Sequence, residues 1–469
     1  MNDPNGLIYH KGEYHLFFQY NPFGDKWGHM SWGHAVSPDL LHWTELPVAI
    51  PEDVDNMIFS GSAVSDAGNS SGFGTSGNAP LVAIYTGCAQ NAGGLQSQQL
   101  AYSLDKGTTW TKYRGNPVLD LGLKDFRDPK VFWFEPDRKW VMVVSRAAER
   151  KVAFYQSADL KSWALVGEFG PAGVIDGVWE CPDLFQLPVE NRPGETKWVL
   201  KVDSSPIKPG SGCGGQAFVG VFDGKTFVAD SLQSQPLDLG EDFYASASWA
   251  DLPRDQKRLV RIGWMSNPRY AGATPTSPWR SAMSLPREIA LQAHAGGYLV
   301  LQRPLRELEA LQTRRRHYAA IKPGTAGKVV LNVSGRDFAH RIRALVKTEA
   351  SNGFSVIVGT MDAPSVTVDF DALAGLLSVR RFGPDTIPTF VSRNAAPLDA
   401  ANGLVALDIV VDRSSVEVFA NDGERTICEQ MFPDDGAYSV SIQGKDDAAI
   451  FLHVDVWNLN SIWSQREPQ

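Results

Sequence analysis

The sequence predicts an all-β protein, a five-bladed β-propeller followed by a C-terminal β-sandwich. Acidic residues head three hairpin-like stretches, "NDPNGLIYHKGEYHLFFQY", "FRDPKVFWFEPDRKWVMVVS" and "WECPDLFQLPVENRPGETKWVLKVD". A second signature, Ser-x-Asp closed by Trp, recurs as "SPDLLHW", "SLDKGTTW" and "SADLKSW". No convincing amphipathic helix interrupts these units, as a propeller requires.

The first unit shows how each is built. Asn2, Pro4, Asn5 and Gly6 are turn formers, and after them Leu7, Tyr9, Tyr14, Leu16 and Phe18 alternate with their neighbours on either side of Lys11-Gly12. Taken alone, Asp3 reads as an Asx-turn residue; the repetition at Asp128 and Glu180 changes that reading. Glu180 follows Asp128 by 52 residues, and Asp128 follows Asp3 by 125, close to two units. The spacing places a further unit near "FSGSAVSD" and a fifth near "DFYASASWAD". Since innermost propeller strands begin at one rim, Asp3, Ser60, Asp128, Glu180 and Asp242 are expected to ring one axial pocket.

After residue 300 the pattern changes. "RPLRELEAL" carries Leu305, Leu308 and Leu311 on one helical face, which predicts a short linker helix, and Arg314-Arg315-Arg316-His317 reads as a solvated helix end. Short alternating strands return from Lys328, with the hairpin signal Asn421-Asp422-Gly423 among them. The expected division is a propeller over 1–300, a linker with a short helix over 301–324, and a sandwich over 325–469.

Composition narrows the function. At 469 residues the chain exceeds one ordinary core, and its net charge of −9 argues against nucleic acid or anionic membrane as partner. No apolar run reaches the roughly 18 residues of a membrane span. Cys88, Cys181, Cys213 and Cys428 form no CxxC and no ligand-like spacing with the nine histidines, so neither a metal site, a cofactor nor a disulfide framework is expected. Fourteen Trp and twelve Tyr hint at carbohydrate stacking platforms. The polar, turn-like segment at Met1 is not a signal peptide, which leaves a cytoplasmic chain or a secreted one with a trimmed N-terminus.

Three acids around a narrow aromatic pocket, with no nucleophilic Ser or Cys beside a His, point to glycosidic-bond cleavage. That reaction needs one carboxyl protonated for the leaving oxygen and one ionised for the anomeric carbon or water. Arg127 beside Asp128, and Asn2 and Asn5 beside Asp3, should favour their ionised forms. Glu180, between Trp179 and Cys181 with no adjacent cation, should be raised by desolvation and is the candidate acid.

The stretches "MNDPNG", "QYNP", "WGHMSWGHA", "FSGSA", "FRDP", "WECPD", "PTSPWRSAMSLPRE" and "DRSSVEVFANDGERT" resemble glycoside hydrolase family 32, the β-fructofuranosidases that include exo-inulinases, levanases and invertases. The resemblance implies a retaining, exo-acting mechanism on inulin, levan or sucrose, with Asp3 as nucleophile, Glu180 as acid and then base, and Asp128 as transition-state stabiliser. It also implies that Asn2, Gln19, Trp27, Ser60, Arg127 and Trp264 line the fructose subsite. His29 and His34 read as structural. A fructosyltransferase and a non-catalytic fructan-binding protein are the alternatives, though a lectin has no need of the triad. Two departures stand out. Pro268 occupies a position where exo-acting relatives commonly carry Trp, and relatives usually have a stretch before the first motif. If that stretch helps to close the blade ring, either a less stable fold or an incomplete sequence is expected here.

Overall fold

The computed structural model describes residues 1–75, 77–206, 214–253, 256–325, 327–334, 339–359, 363–384, 386–433 and 438–463. Cys213 lies outside them. The chain divides into two compact units: residues 1–236, 244–264 and 276–300 form the first, and 237–243, 265–275 and 301–469 the second.

The first unit contains five antiparallel sheets, the blades of a β-propeller. Their innermost strands are Pro4–His10, Asn56–Ser65, Phe126–Phe134, Gly177–Pro188 and Tyr244–Ser248. Each touches the next, and the fifth touches the first, so the ring is closed. Closure is made by backbone: Tyr9 N donates to Ala250 O and Ala250 N to Leu7 O, each at 2.9 Å. A parallel bridge at Ile8 and Ala250 accompanies these bonds.

All five innermost strands share one irregularity. The pairing with the second strand slips between Asn5 and Ile8, Ile58 and Gly61, Arg127 and Lys130, Glu180 and Asp183, and Tyr244 and Ala247. A β-bulge bends a strand and re-aims the side chains beside it. Backbone conformation follows: Asp128, Cys181 and Ala245 take φ of 65°, 47° and 50°, in the left-handed region. In the first strand Gly6 takes φ 55°, and a Cβ there would lie 2.6 Å from the Phe17 ring, so only glycine fits.

The Ser-x-Asp…Trp signature is a reinforced turn. In the first copy Ser37 Oγ donates to Asp39 at 3.1 Å, Asp39 caps the backbone N–H groups of Leu41 and His42, and Trp43 Nε1 donates to Leu40 O. The copies at Asp105 and Asp159 do the same with Trp110 and Trp163.

The second unit is a sandwich of two six-stranded sheets. Between them lies a core that includes Leu331, Ile342, Phe354, Phe370, Val418 and Phe451, all 0–1 % exposed. The expected linker helix is a short 3-10 helix, Arg306–Leu311, which buries Leu308 and Leu311; the three-residue leucine spacing suits the tighter helix equally well. The basic run is not a helix end. It lies in a strand, Gln312–Ile321, where Arg315 and His317 both reach Asp455 and Arg316 reaches Asn458. Asp242 also departs from expectation. It belongs to this unit, fully buried, accepting from Gln430 N at 2.8 Å and Tyr270 Oη at 2.5 Å and paired with Arg381.

His34 is structural, as its sequence context indicated. It is wholly buried, stacks on Phe17 at 4.1 Å and hydrogen-bonds His15 at 3.0 Å. Burial depresses both imidazoles, His15 to about 4 and His34 to about 3 from the usual 6.5. The unfolded chain then binds more protons as the pH falls below 6.5, so the pair erodes stability on the acid side. His15→Gln/His34→Gln removes these titrations. The fall in thermal midpoint from pH 6.5 to pH 4 should therefore be smaller in the double variant than in the parent; an equal fall would show that the pair plays no part.

Candidate active site

The bulged strand starts deliver the acids to one pocket. Asp3, immediately before its strand, accepts from Asn2 Nδ2 at 3.0 Å and from Ser60 Oγ, on the second blade, at 2.7 Å. Asp128 accepts from the backbone N–H of Cys181 at 2.9 Å and lies 4.0 Å from Arg127. The Cys181 thiol sits 3.9 Å from Asp3 Oδ2 and 3.6 Å from Asp128 Oδ2. Residues from blades one to four thus meet within hydrogen-bonding reach. The left-handed turn at Cys181 makes this possible, because it points an N–H at Asp128 while the preceding residue, Glu180, faces the pocket.

Arg127 ties the third acid in. Its Nε and Nη2 lie 3.2 and 3.0 Å from Glu180 Oε1, and Nη1 reaches Asp125 at 2.8 Å and Gln96 at 3.3 Å. The cation that sequence proximity assigned to Asp128 is therefore seated on Glu180. The premise that Glu180 has no cation beside it fails, since adjacency in sequence says nothing about which carboxylate faces a guanidinium across the bulge.

The fifth blade contributes Tyr244 in place of the expected Asp242. Its hydroxyl donates to Glu180 Oε2, and burial beside that carboxylate pushes the phenol well above its usual range. A pattern of acids at strand heads does not point to Tyr244. The bulge shared by the five strands, two residues beyond Asp242, is the signal that marks it.

Burial dominates the electrostatics of the two aspartates. Asp128 is 7 % exposed, and desolvation pushes it up to about 7, with Glu180 and Asp3 adding to the rise and Arg127 opposing it. Asp3 is raised as well, because desolvation outweighs the hydrogen bonds from Ser60 and Asn2. Asn5 does not touch Asp3; oriented to satisfy both ends of its amide, it bonds Ser60 Oγ and Gln19. The expectation of two carboxyls held ionised by their sequence neighbours is thus reversed by burial.

The remaining residues fall into three settings. Ser60 and Arg127 touch the acids directly. Gln19 is 2 % exposed and donates to Ile58 O at 3.0 Å, bracing the strand that carries Ser60. Trp264 pairs across from Tyr244 and is buried, its indole N–H enclosed with no acceptor among the described residues. Trp27 is the opposite, 68 % exposed, with its ring edge-on to Phe59 at 6.0 Å, next in sequence to Ser60. His29 is exposed and bonds Glu52 at 2.5 Å, apart from the acids.

Below the acids the channel is filled. Lys201 Nζ bonds Cys181 O at 3.0 Å, Ser246 O at 2.5 Å and Asp203; Lys130 Nζ bonds Ser248 O at 2.7 Å and lies 3.5 Å from Asp183. Asp183, Lys201, Asp203 and Arg261 are all 0–1 % exposed. The pocket therefore has a floor.

Comparison with known proteins agrees with this architecture. Residues 1–304 match the glycosyl hydrolases family 32 N-terminal domain, and residues 307–458 the family 32 C-terminal domain. A levanase of Bacillus subtilis (strain 168) is 45 % identical over 99 % of this chain and 69 % of its own length. The crystal structure of an exo-inulinase from Aspergillus awamori superimposes with a TM-score of 0.90 at 38 % identity, covering 99 % of this chain and 96 % of that one. A β-fructofuranosidase from Schwanniomyces occidentalis, solved with fructosyl-erythritol, gives a TM-score of 0.87 at 33 % identity, over 98 % and 95 % of the two chains. With both domain models matched in order and the acid motifs in one pocket, the chain belongs to glycosyl hydrolase family 32.

Proposed function

We propose that this protein is a retaining exo-β-fructosidase that releases terminal fructose from fructans of the inulin and levan types, with sucrose as a short substrate of the same kind. The observation that carries the reading is the convergence of Asp3, Asp128 and Glu180 on one floored pocket. Relatives named levanase and exo-inulinase support the substrate class.

In this reading Asp3 attacks the anomeric carbon, held in line by Asn2 and Ser60. Glu180, steadied by Arg127 and Tyr244, gives its proton to the departing oxygen and then takes one from the water that releases fructose. Asp128 faces the fructosyl ring. Desolvation makes its charge expensive in the empty site, and a developing oxocarbenium ion restores a partner for it, so its interaction strengthens toward the transition state. Trp27 at the rim and Trp264 inside supply ring faces for the sugar.

The floor under the acids excludes a threaded polymer and admits a chain end. Fructose should dominate the early products from inulin; early accumulation of tri- and tetrasaccharides would contradict the exo assignment. A fructosyltransferase on this scaffold would instead lengthen its acceptors, and a non-catalytic binding protein would release no reducing sugar.

The roles of the acids separate by leaving group. Glu180→Ala should slow cleavage of natural fructans by roughly 10² to 10⁴ or more, the scale of general acid catalysis, yet keep most of its first-step rate with a leaving group that needs no protonation. Azide should restore its turnover and yield a fructosyl azide of retained configuration. Asp3→Ala gains nothing from a better leaving group by the covalent route, and azide acting on it should give the inverted product. The opposite pattern in the two variants would exchange the assignments of nucleophile and acid.

A further inference from the structure

The sandwich carries a groove of about 420 Å³ on the outer face of one sheet, built wholly from residues of the second unit. Its floor crosses the adjacent strands Ile450–Leu459, Ala339–Lys347, Leu404–Asp412 and Ser415–Ala420. Register lays the side chains in two rows. His453, Leu345 and Ala406 stand abreast, and two residues along each strand Arg343 faces Asp408, which faces Phe419. Directly opposed residues of antiparallel strands share a face, so an apolar strip runs beside a charged one.

The charged row is cross-linked by hydrogen bonds. Arg341 grips Asp408 through two bonds of 2.9 and 2.7 Å, while Arg343 bonds Asp408 at 3.1 Å and Glu309 at 2.9 Å. Arg341 is 2 % exposed, and its remaining nitrogen, Nη1, has no acceptor among the described residues. Planar donors and acceptors therefore alternate along the groove with one donor left over, next to the Leu345–Ala406 strip and an exposed imidazole at His453. The lining sets Arg303, Arg306, Arg341 and Arg343 against Glu309, Asp408 and Asp422, a near balance in which an anion would meet three carboxylates and an apolar segment would bury charge. A sugar ring suits both rows, because its hydroxyls donate and accept while its C–H face is apolar. The volume falls in the range of small-ligand sites, about 300–1,000 Å³.

We propose that this groove is a second carbohydrate-binding site, which holds an internal, non-reacting stretch of a neutral fructan. The inference rests on the reading that polymeric fructan is the substrate. A second foothold on one polymer raises the effective concentration of its ends and leaves the chemical step untouched. The effect belongs to KM on long chains.

The test compares long-chain inulin with a fructan trisaccharide in the same preparations. Ala406→Trp fills the floor, and Arg343→Ala, at a half-exposed position, removes the polar grip. In both variants kcat/KM for the trisaccharide should stay within about 2-fold of the parent, while kcat/KM for long-chain inulin falls about 10-fold through KM with kcat retained. Equal losses on both substrates, or no loss on either, would overturn the inference. A parent inactive on inulin would overturn the functional reading and the groove with it; an active parent matched by both variants overturns the groove alone.

Discussion

Closing five sheets around one axis forces charge into a space that cannot solvate it. Asp3, Asp128, Glu180, Asp183 and Asp203 converge there with Arg127, Lys130, Lys201 and Arg261. A buried charge is tolerated only when paired and hydrogen-bonded. The pair Arg127–Glu180 meets that demand, and the raised Asp3, Asp128 and Asp203, the last pushed up to about 6 by burial despite its bond to Lys201, show where it is not fully met. Arg261 marks the same tension from the other side: burial lowers it to about 10, and its guanidinium lies over the Phe185 ring at 5.3 Å.

That constraint connects fold to chemistry. The bulges at the five strand starts aim side chains at the axis, and the filled layer beneath them both supports the acids and ends the pocket. Lys201 does both, since it holds the carbonyl of Cys181 whose N–H holds Asp128. In the proposed mechanism, a substrate that brings developing positive charge into this site relieves the destabilised carboxylates and so turns ground-state burial into transition-state stabilisation.

The parts of this arrangement that were legible in the sequence are those governed by local grammar. Asp3, Asp128 and Glu180 announce themselves because each heads a turn and an alternating strand, and Ser60 follows from their spacing. Asp242 was misjudged by the same spacing rule, which cannot resolve a two-residue offset; Arg381, far along the chain, claims that carboxylate, and Tyr244 takes the expected place. The partner of Arg127 and the raised pKa of Asp128 depend on burial and on contacts between blades, which no local pattern encodes. The strand at Arg314–His317 was misread because its partners, Asp455 and Asn458, lie near the far end of the chain.

The most direct test of the central claim is the identity of the residue that carries the sugar. Glu180→Ala, quenched during turnover of a fructosyl donor with a good leaving group, should accumulate the covalent intermediate, because the base that releases it is gone. Peptide mass spectrometry should then find one fructosyl unit bound to Asp3. A fructosyl unit on Asp128 or elsewhere, or turnover with no adduct at all, would contradict the account.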